Sequence, residues 1–220
     1  MNTKMVGVAG LALLVSGLSS VPALAAGAGE VSRLSGTLSV QRPDGSVRAL
    51  GQKSEVQPGD VLTTQRDSYA QINFSDGSSM TMRPETQMKV ETYQFVPDRP
   101  QEDSAFFRLI KGGLRTVTGL VGKRGNQDAY KIGTTIATIG IRGSGGETRV
   151  GGGGGVDHYS FLDTWNMCNK AGCQDITQGF SGRADNETDP IKTVQGPFDQ
   201  ELLKRLRIDG PPQLGRSCGS

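Results

Sequence analysis

Residues Ser68–Val90 read SYAQINFSDGSSMTMRPETQMKV, and this stretch decides the fold class. Ala70, Ile72 and Phe74 alternate with Gln71, Asn73 and Ser75, the period of two that marks a strand with one face buried. Beyond the Asp76-Gly77 bend, Met80 and Met82 flank Thr81 in the same rhythm. Parity chooses between two loops. A two-residue loop of Asp76 and Gly77 sets Ile72 opposite Thr81 and turns both methionines away from Phe74. A three-residue loop, Ser75-Asp76-Gly77, with Gly77 left-handed, sets Met80 opposite Ile72 and Met82 opposite Ala70. The second register keeps the apolar side chains together and is the expected one. With that face in the core, recognition falls to Gln71, Asn73, the bend itself or strands elsewhere.

The theme recurs upstream. In EVSRLSGTLSVQRPDGSVRAL (30–50), Leu38 and Val40 share one face, while Val47 and Ala49 have the opposite parity. That parity calls for an even loop, and Arg42-Pro43-Asp44-Gly45 supplies four residues that set Val40 opposite Val47. Residues 56–64 read as a turn and a short strand, and 91–104, with Pro97 and Pro100, as a surface loop. In AFFRLIKGGLRTV (105–117), Gly112-Gly113 is placed to reverse two strands, with a short helix over 106–110 as the alternative. Residues 119–128 read as a loop. Tyr130, Ile132 and Thr134, followed by Ile136, Ile139 and Ile141, read as a buried strand ending at Arg142-Gly143. The 32 glycines and few aromatics favour turns and thin strands over helices. One helix is expected, amphipathic and short, in PFDQELLKRLR (197–207), with proline and acids early and bases late.

The first 25 residues have the pattern of a cleavable export signal: Lys4, an apolar run from Met5 to Leu18, and Ala23-Leu24-Ala25 before the cut. The run is shorter than the roughly 20 residues a membrane span needs. No transmembrane segment is expected in the mature chain, and the destination is the periplasm or the exterior. Removing Lys4 leaves 23 basic against 22 acidic residues, a balance that gives no field to draw a polyanion, so nucleic acid is not an expected partner.

Cys168 and Cys173 bracket a four-residue turn and, in an oxidising compartment, read as a disulfide, while Cys218 is left over. A redox or nucleophilic site assisted by His158 is the alternative, but the spacing is not C-x-x-C. His158 is the sole histidine, so no metal is predicted. Asp185, Glu187 and Asp189 alternate in ADNETDP, yet Pro190 and Gly196 stand where a calcium loop needs glycine and glutamate. The glycine runs around residues 119–124 and 143–155 match no phosphate-binding spacing, and GFSGR (179–183) is not a nucleophile elbow. No cofactor and no catalytic residue is expected.

Four segments in order, PGDVLTT (58–64), AQINFSDGSSMTMRPET (70–86), GGLR (112–115) and TTIATIGIRG (134–143), resemble the FecR-type periplasmic domain. The motif positions are Pro58, Gly59, Asp60, Asp76, Gly77, Ser78, Arg142 and Gly143. The resemblance implies an all-β module, a compact, twisted, solenoid-like stack of short strands and hairpins, found in regulators that relay signals from outer-membrane siderophore receptors to a sigma factor. Two departures stand out. An export signal rather than a membrane helix precedes the module, and Arg142-Gly143 runs into SGGETRVGGGGGVDHY, where Gly151–Gly155 interrupts the expected strand. The expected organisation is a signal peptide (1–25), a FecR-type β-domain (26–143), a glycine-rich loop (144–155), a disulfide hairpin extension (156–195), and the helix with a tail (196–220). The expected function is a non-enzymatic interaction module for envelope proteins. Signal sensing beside a separate membrane regulator of iron uptake is the second reading, and cell-wall carbohydrate binding or hydrolysis the third. Binding to peptidoglycan would single out the third.

Overall fold

The computed structural model describes residues 27–126, 128–141 and 145–197. Among them lie seventeen strands and, at Pro100–Glu102, one 3-10 turn. In chain order the strands are β1 (Gly29–Ser35), β2 (Leu38–Gln41), β3 (Val47–Leu50), β4 (Glu55–Val56), β5 (Val61–Thr64), β6 (Tyr69–Phe74), β7 (Ser79–Met82), β8 (Gln87–Gln94) and β9 (Ser104–Val117). They continue as β10 (Tyr130–Gly133), β11 (Thr138–Ile141), β12 (Gly145–Val150), β13 (Val156–Leu162), β14 (Trp165–Asn169), β15 (Gly172–Ile176), β16 (Phe180–Ala184) and β17 (Lys192–Gln195). Among the described residues no helix is long and apolar enough to cross a membrane.

One run of pairings is β4-β1-β6-β7-β9-β12-β13-β16-β17 and the other β3-β2-β5-β8-β9-β10-β11-β14-β15. β9 belongs to both. Its first half pairs with β8 and β10, and its second half, from Gly112, with β7 and β12. Inward positions change parity across the join, from Ala105, Phe107 and Leu109 to Leu114 and Thr116. Gly112 makes this possible with φ +85°. The Thr86 hydroxyl fills the inside of the bend, accepting from Gly113 N at 2.9 Å and donating to Gly113 O at 3.1 Å. So Gly112-Gly113 does not reverse two strands, and no helix forms over 106–110. A single strand bends there and passes from one layer to the other.

The core lies between the layers. Phe107 contacts Phe74 across it at 5.0 Å between ring centres and Tyr130 at 5.3 Å. Trp165 meets His158 at 4.5 Å in the other half. Each fully buried leucine, isoleucine or phenylalanine stabilises the fold by about 1.5–3 kcal/mol. The central hairpin has the expected register, Ile72 opposite Met80 and Ala70 opposite Met82. The upstream hairpin does not: Gln41, not Val40, faces Val47, and the loop is Pro43-Asp44-Gly45. Val47 is 68 % exposed, so the parity argument rested on a valine that is not core. The Asp44 carboxylate accepts the N–H and hydroxyl of Ser46, and this turn chemistry sets the register.

Two further expectations are corrected. Tyr130–Ile141 is a hairpin, β10 and β11, closed where Thr134 bonds Ala137 through backbone and hydroxyl. The glycine-rich segment is not a loop from 144 to 155. Gly145–Val150 is a strand between β9 and β13, and only Gly151–Gly155 turns. The space a side chain would need at Gly145 is taken by Phe161, and at Gly146 by His158 and Trp165. The fold is all-β, but stacked solenoid rungs would pair in parallel at each level. Among the described residues only β9 and β10 are parallel, and the sheet is an open, mixed one. The export signal, the rest of the expected helix from residue 198, and Cys218 lie outside the described residues.

Candidate functional site

The motif residues serve the fold. Pro58-Gly59 forms a tight turn in which Asp60 N donates to Gln57 O at 3.2 Å, Gly59 has φ +88°, and Asp60 Oδ2 accepts Gln57 N at 2.9 Å. The other Asp60 oxygen pairs with Arg42 at 3.1 Å. Burial pushes the Asp60 carboxyl up, and the Gln57 N–H and the Arg42 charge pull it back. Asp76 is only 3 % exposed. One of its oxygens accepts Ser78 N, Ser78 Oγ and Tyr93 OH at 3.0, 2.6 and 3.0 Å, and the other accepts Val121 N at 3.1 Å. Desolvation holds the Tyr93 phenol well above its ordinary range. The two aspartates share no partner, so these positions form two separate structural joints. Arg142 and Gly143 lie outside the described residues.

Cys168 and Cys173 are bonded at directly paired positions of β14 and β15. His158 is fully buried with Nδ1 2.9 Å from Thr148 Oγ1, and desolvation lowers its pKa to about 3. It stands in the core, away from the disulfide strand tip, and stays neutral at physiological pH. Asp185 is held by Arg183 and Lys192, and Glu187 by Lys170. Ser181 is buried and donates to Gly196 O at 2.6 Å. None of these side chains is poised as a nucleophile.

A concave face remains, on the outer side of β1, β6, β7 and β9. Its cavity is about 600 Å³, and its lining includes Arg33, Arg83 and Arg115 with no carboxylate. Strand register builds it: Arg33 pairs with Gln71, Gln71 with Thr81, and Thr81 with Arg115, one row across four strands. Arg115 lies over the Phe161 ring at 4.1 Å. Arg83 grips Glu147 through two bonds of 3.2 and 3.0 Å, and Glu147 is 3 % exposed. Tyr69, 39 % exposed, and Gln52 complete a polar rim. Such a surface offers planar guanidinium groups and hydroxyls suited to binding.

Residues 60–156 match the profile of the family described as "FecR protein". This segment is a FecR-type domain. Two crystal structures of a "putative anti-sigma factor" from Parabacteroides distasonis ATCC 8503 share its fold, each with a TM-score of 0.52. They are 12 % and 11 % identical to this chain, and each match covers 66 % of it. The matches span 64 % and 63 % of those proteins, less than two thirds of their length. No curated protein matches the sequence.

The FecR-type segment supplies Tyr69, Gln71, Thr81, Arg83 and Arg115 to the concave face, while Arg33 comes from β1 and Gln52 from the turn between β3 and β4, both before it. Of these residues the alternation singles out only Gln71 as outward. The arginines escape notice because each alone reads as a solvated charge on a strand. Parity signals Arg115 alone, at an outward position of β9; Arg33 faces outward only through the bulge after Val31, and Arg83 lies one residue past the end of β7. The bend, expected as a recognition point, instead turns Asp76 and Ser78 inward.

Proposed function

We propose that this chain is an exported, non-enzymatic interaction module of the periplasm or cell envelope that binds a protein partner on the concave outer face of β1, β6, β7 and β9. The observation that carries the reading is the cationic groove, whose lining includes three arginines and no carboxylate. The FecR motif aspartates are engaged within the fold and leave the groove as the place for recognition. The test is a photo-crosslinker at Gln71 in intact cells. Repeated recovery of one envelope protein is expected, and its absence under physiological conditions counts against the reading.

The FecR-type segment and the fold shared with an anti-sigma factor support a role in signalling, in which the bound partner's state passes to a separate membrane regulator. Deleting the gene then changes transcription of an envelope or metal-uptake set. An unchanged transcriptome under iron limitation would remove this second step and leave the binding role intact.

A further inference from the structure

We infer that the Cys168–Cys173 disulfide is a thiol–disulfide exchange site rather than a staple, opened by thiols that attack Cys173 from the free edge of β15. The site is separate from the groove and does not depend on it. Met167, beside Cys168, is buried in the core, which puts the cysteines on the outer face of their layer. Among the described residues β15 pairs only with β14, and its positions from Gly172 to Asp175 are all exposed. Cys173 is thus the sulfur of an edge strand. Cys168, half-buried, belongs to an inner strand and has Thr138 of β11 as its neighbour on the other side. An attacking thiolate enters in line, opposite the sulfur that leaves, and access to that path decides which sulfur reacts. For Cys173 the path lies over the open side of β15, whereas for Cys168 it lies over β11. Buried cysteines are inert in such chemistry, and this pair is not buried.

The hairpin does not need the bond to keep its shape. The cysteines are five positions apart, so the loop they close is short and removes little chain entropy. Asn169 and Gly172 pair one step nearer the tip. The tip is also tied to the turn after β16, where Lys170 N donates to Glu187 O at 2.8 Å and Asn169 Nδ2 to Asp189 O at 2.7 Å. These bonds keep both halves in register when the sulfurs part, so the pair can close again. In the exchange the attacking thiolate bonds to Cys173 Sγ and the Cys168–Cys173 bond breaks. Its electron pair leaves on Cys168 Sγ, which takes up the proton the attacker gave up. Asn166 Oδ1 lies 2.8 Å from Cys168 Sγ, placed to accept from the thiol formed there, and Asn166 Nδ2 is held by Asp175 Oδ1 at 2.8 Å. A second thiol attacks the mixed disulfide, frees Cys173 and departs in the oxidised co-reactant. That co-reactant is a low-molecular-weight thiol or a protein dithiol, and the two electrons it gives are those the cystine takes.

The test uses the full folded chain carrying Cys218→Ser, with reduced glutathione as the attacking thiol, quenched in acid and mapped by peptide mass. Glutathione is expected on Cys173 at least ~10-fold more often than on Cys168. The bond should open no more than ~10-fold slower than in the same chain unfolded in urea, with the strand signal in circular dichroism unchanged. Cys168→Ser combined with Cys173→Ser should keep that strand signal as well. Opening slower than this limit overturns the inference, because the bond is then reached only through unfolding. Glutathione spread equally over the two cysteines, or found mainly on Cys168, overturns it too. So does loss of the strand signal on opening or in the double variant, since either outcome makes the disulfide a staple.

Discussion

The two Asp-Gly-Ser bends are the same turn in different surroundings. Asp44 Oδ1 accepts Ser46 N at 2.9 Å and Ser46 Oγ at 2.6 Å, while Asp76 Oδ1 accepts Ser78 N at 3.0 Å and Ser78 Oγ at 2.6 Å. Gly45 and Gly77 both have φ +84°. Locally nothing distinguishes them. Asp44 stands in solvent, whereas Asp76 is enclosed by Tyr93, by Val121 N and by Leu120 N, which donates to its backbone oxygen at 2.9 Å. Three shared residues therefore specify the bend, and the chain 17 to 45 residues away decides whether it is an ornament of the surface or a joint of the core.

The comparison breaks first at Asp76. Asp76→Ala leaves the buried N–H groups of Ser78 and Val121 without acceptors, each at about 1–3 kcal/mol, so a loss of about 3 kcal/mol or more is expected in urea unfolding. A loss no larger than that of Asp44→Ala would show that the surroundings contribute nothing. Gly119→Ala attacks the same joint from outside, because a methyl group there overlaps Asp76 O and Ser78 N. It should cost up to about 3 kcal/mol and bring the two bends closer in stability effect.

Acid provides a third probe. His158 stays neutral in the folded protein down to about pH 3, while the unfolded chain takes a proton near 6.5. Its contribution is fully present above pH 6.5 and falls by about 1.4 kcal/mol per unit below it, about 2 kcal/mol by pH 5. His158→Gln should flatten this limb. Asp44, whose carboxyl the Ser46 hydroxyl and N–H hold below the ordinary range, loses its own smaller contribution only as the pH falls below about 4. A limb unaffected by His158→Gln would assign the acid loss to carboxylates instead.

Much of the first half of the fold is legible because alternation and burial agree there, as in Ala70, Ile72 and Phe74. It fails where one of them misleads. Val47 looks like core by type and is not, so the turn chemistry of Asp44 and Gly45 overrides the hydrophobic parity. In β12 the inward positions include Gly146, whose space His158 and Trp165 fill, so a buried strand carries little apolar signal of its own. The crossover of β9 is hidden for a related reason: Gly112-Gly113 allows a bend without saying whether the chain reverses, and Thr86 settles it from 27 residues away. The groove was the least legible part. Arg33, Gln71, Thr81 and Arg115 align only through three strand pairings, and no spacing in the sequence encodes a row across strands.

The smallest effects sharpen the comparison most. Gly45→Ala and Gly77→Ala meet no atom within 4 Å, so each should cost only the strain of a left-handed alanine, about 1 kcal/mol, and the same at both bends. Equal costs would show that the backbone term is purely local even where the aspartate beside it is buried. Asp44→Ala should then change the unfolding midpoint less than either, since Ser46 N can turn to water once its acceptor is gone. If Asp44→Ala instead exceeds Gly45→Ala, the exposed bend helps fix the β2–β3 register. Val47 would then slip toward Val40, a shift that proton contacts between those two strands would reveal.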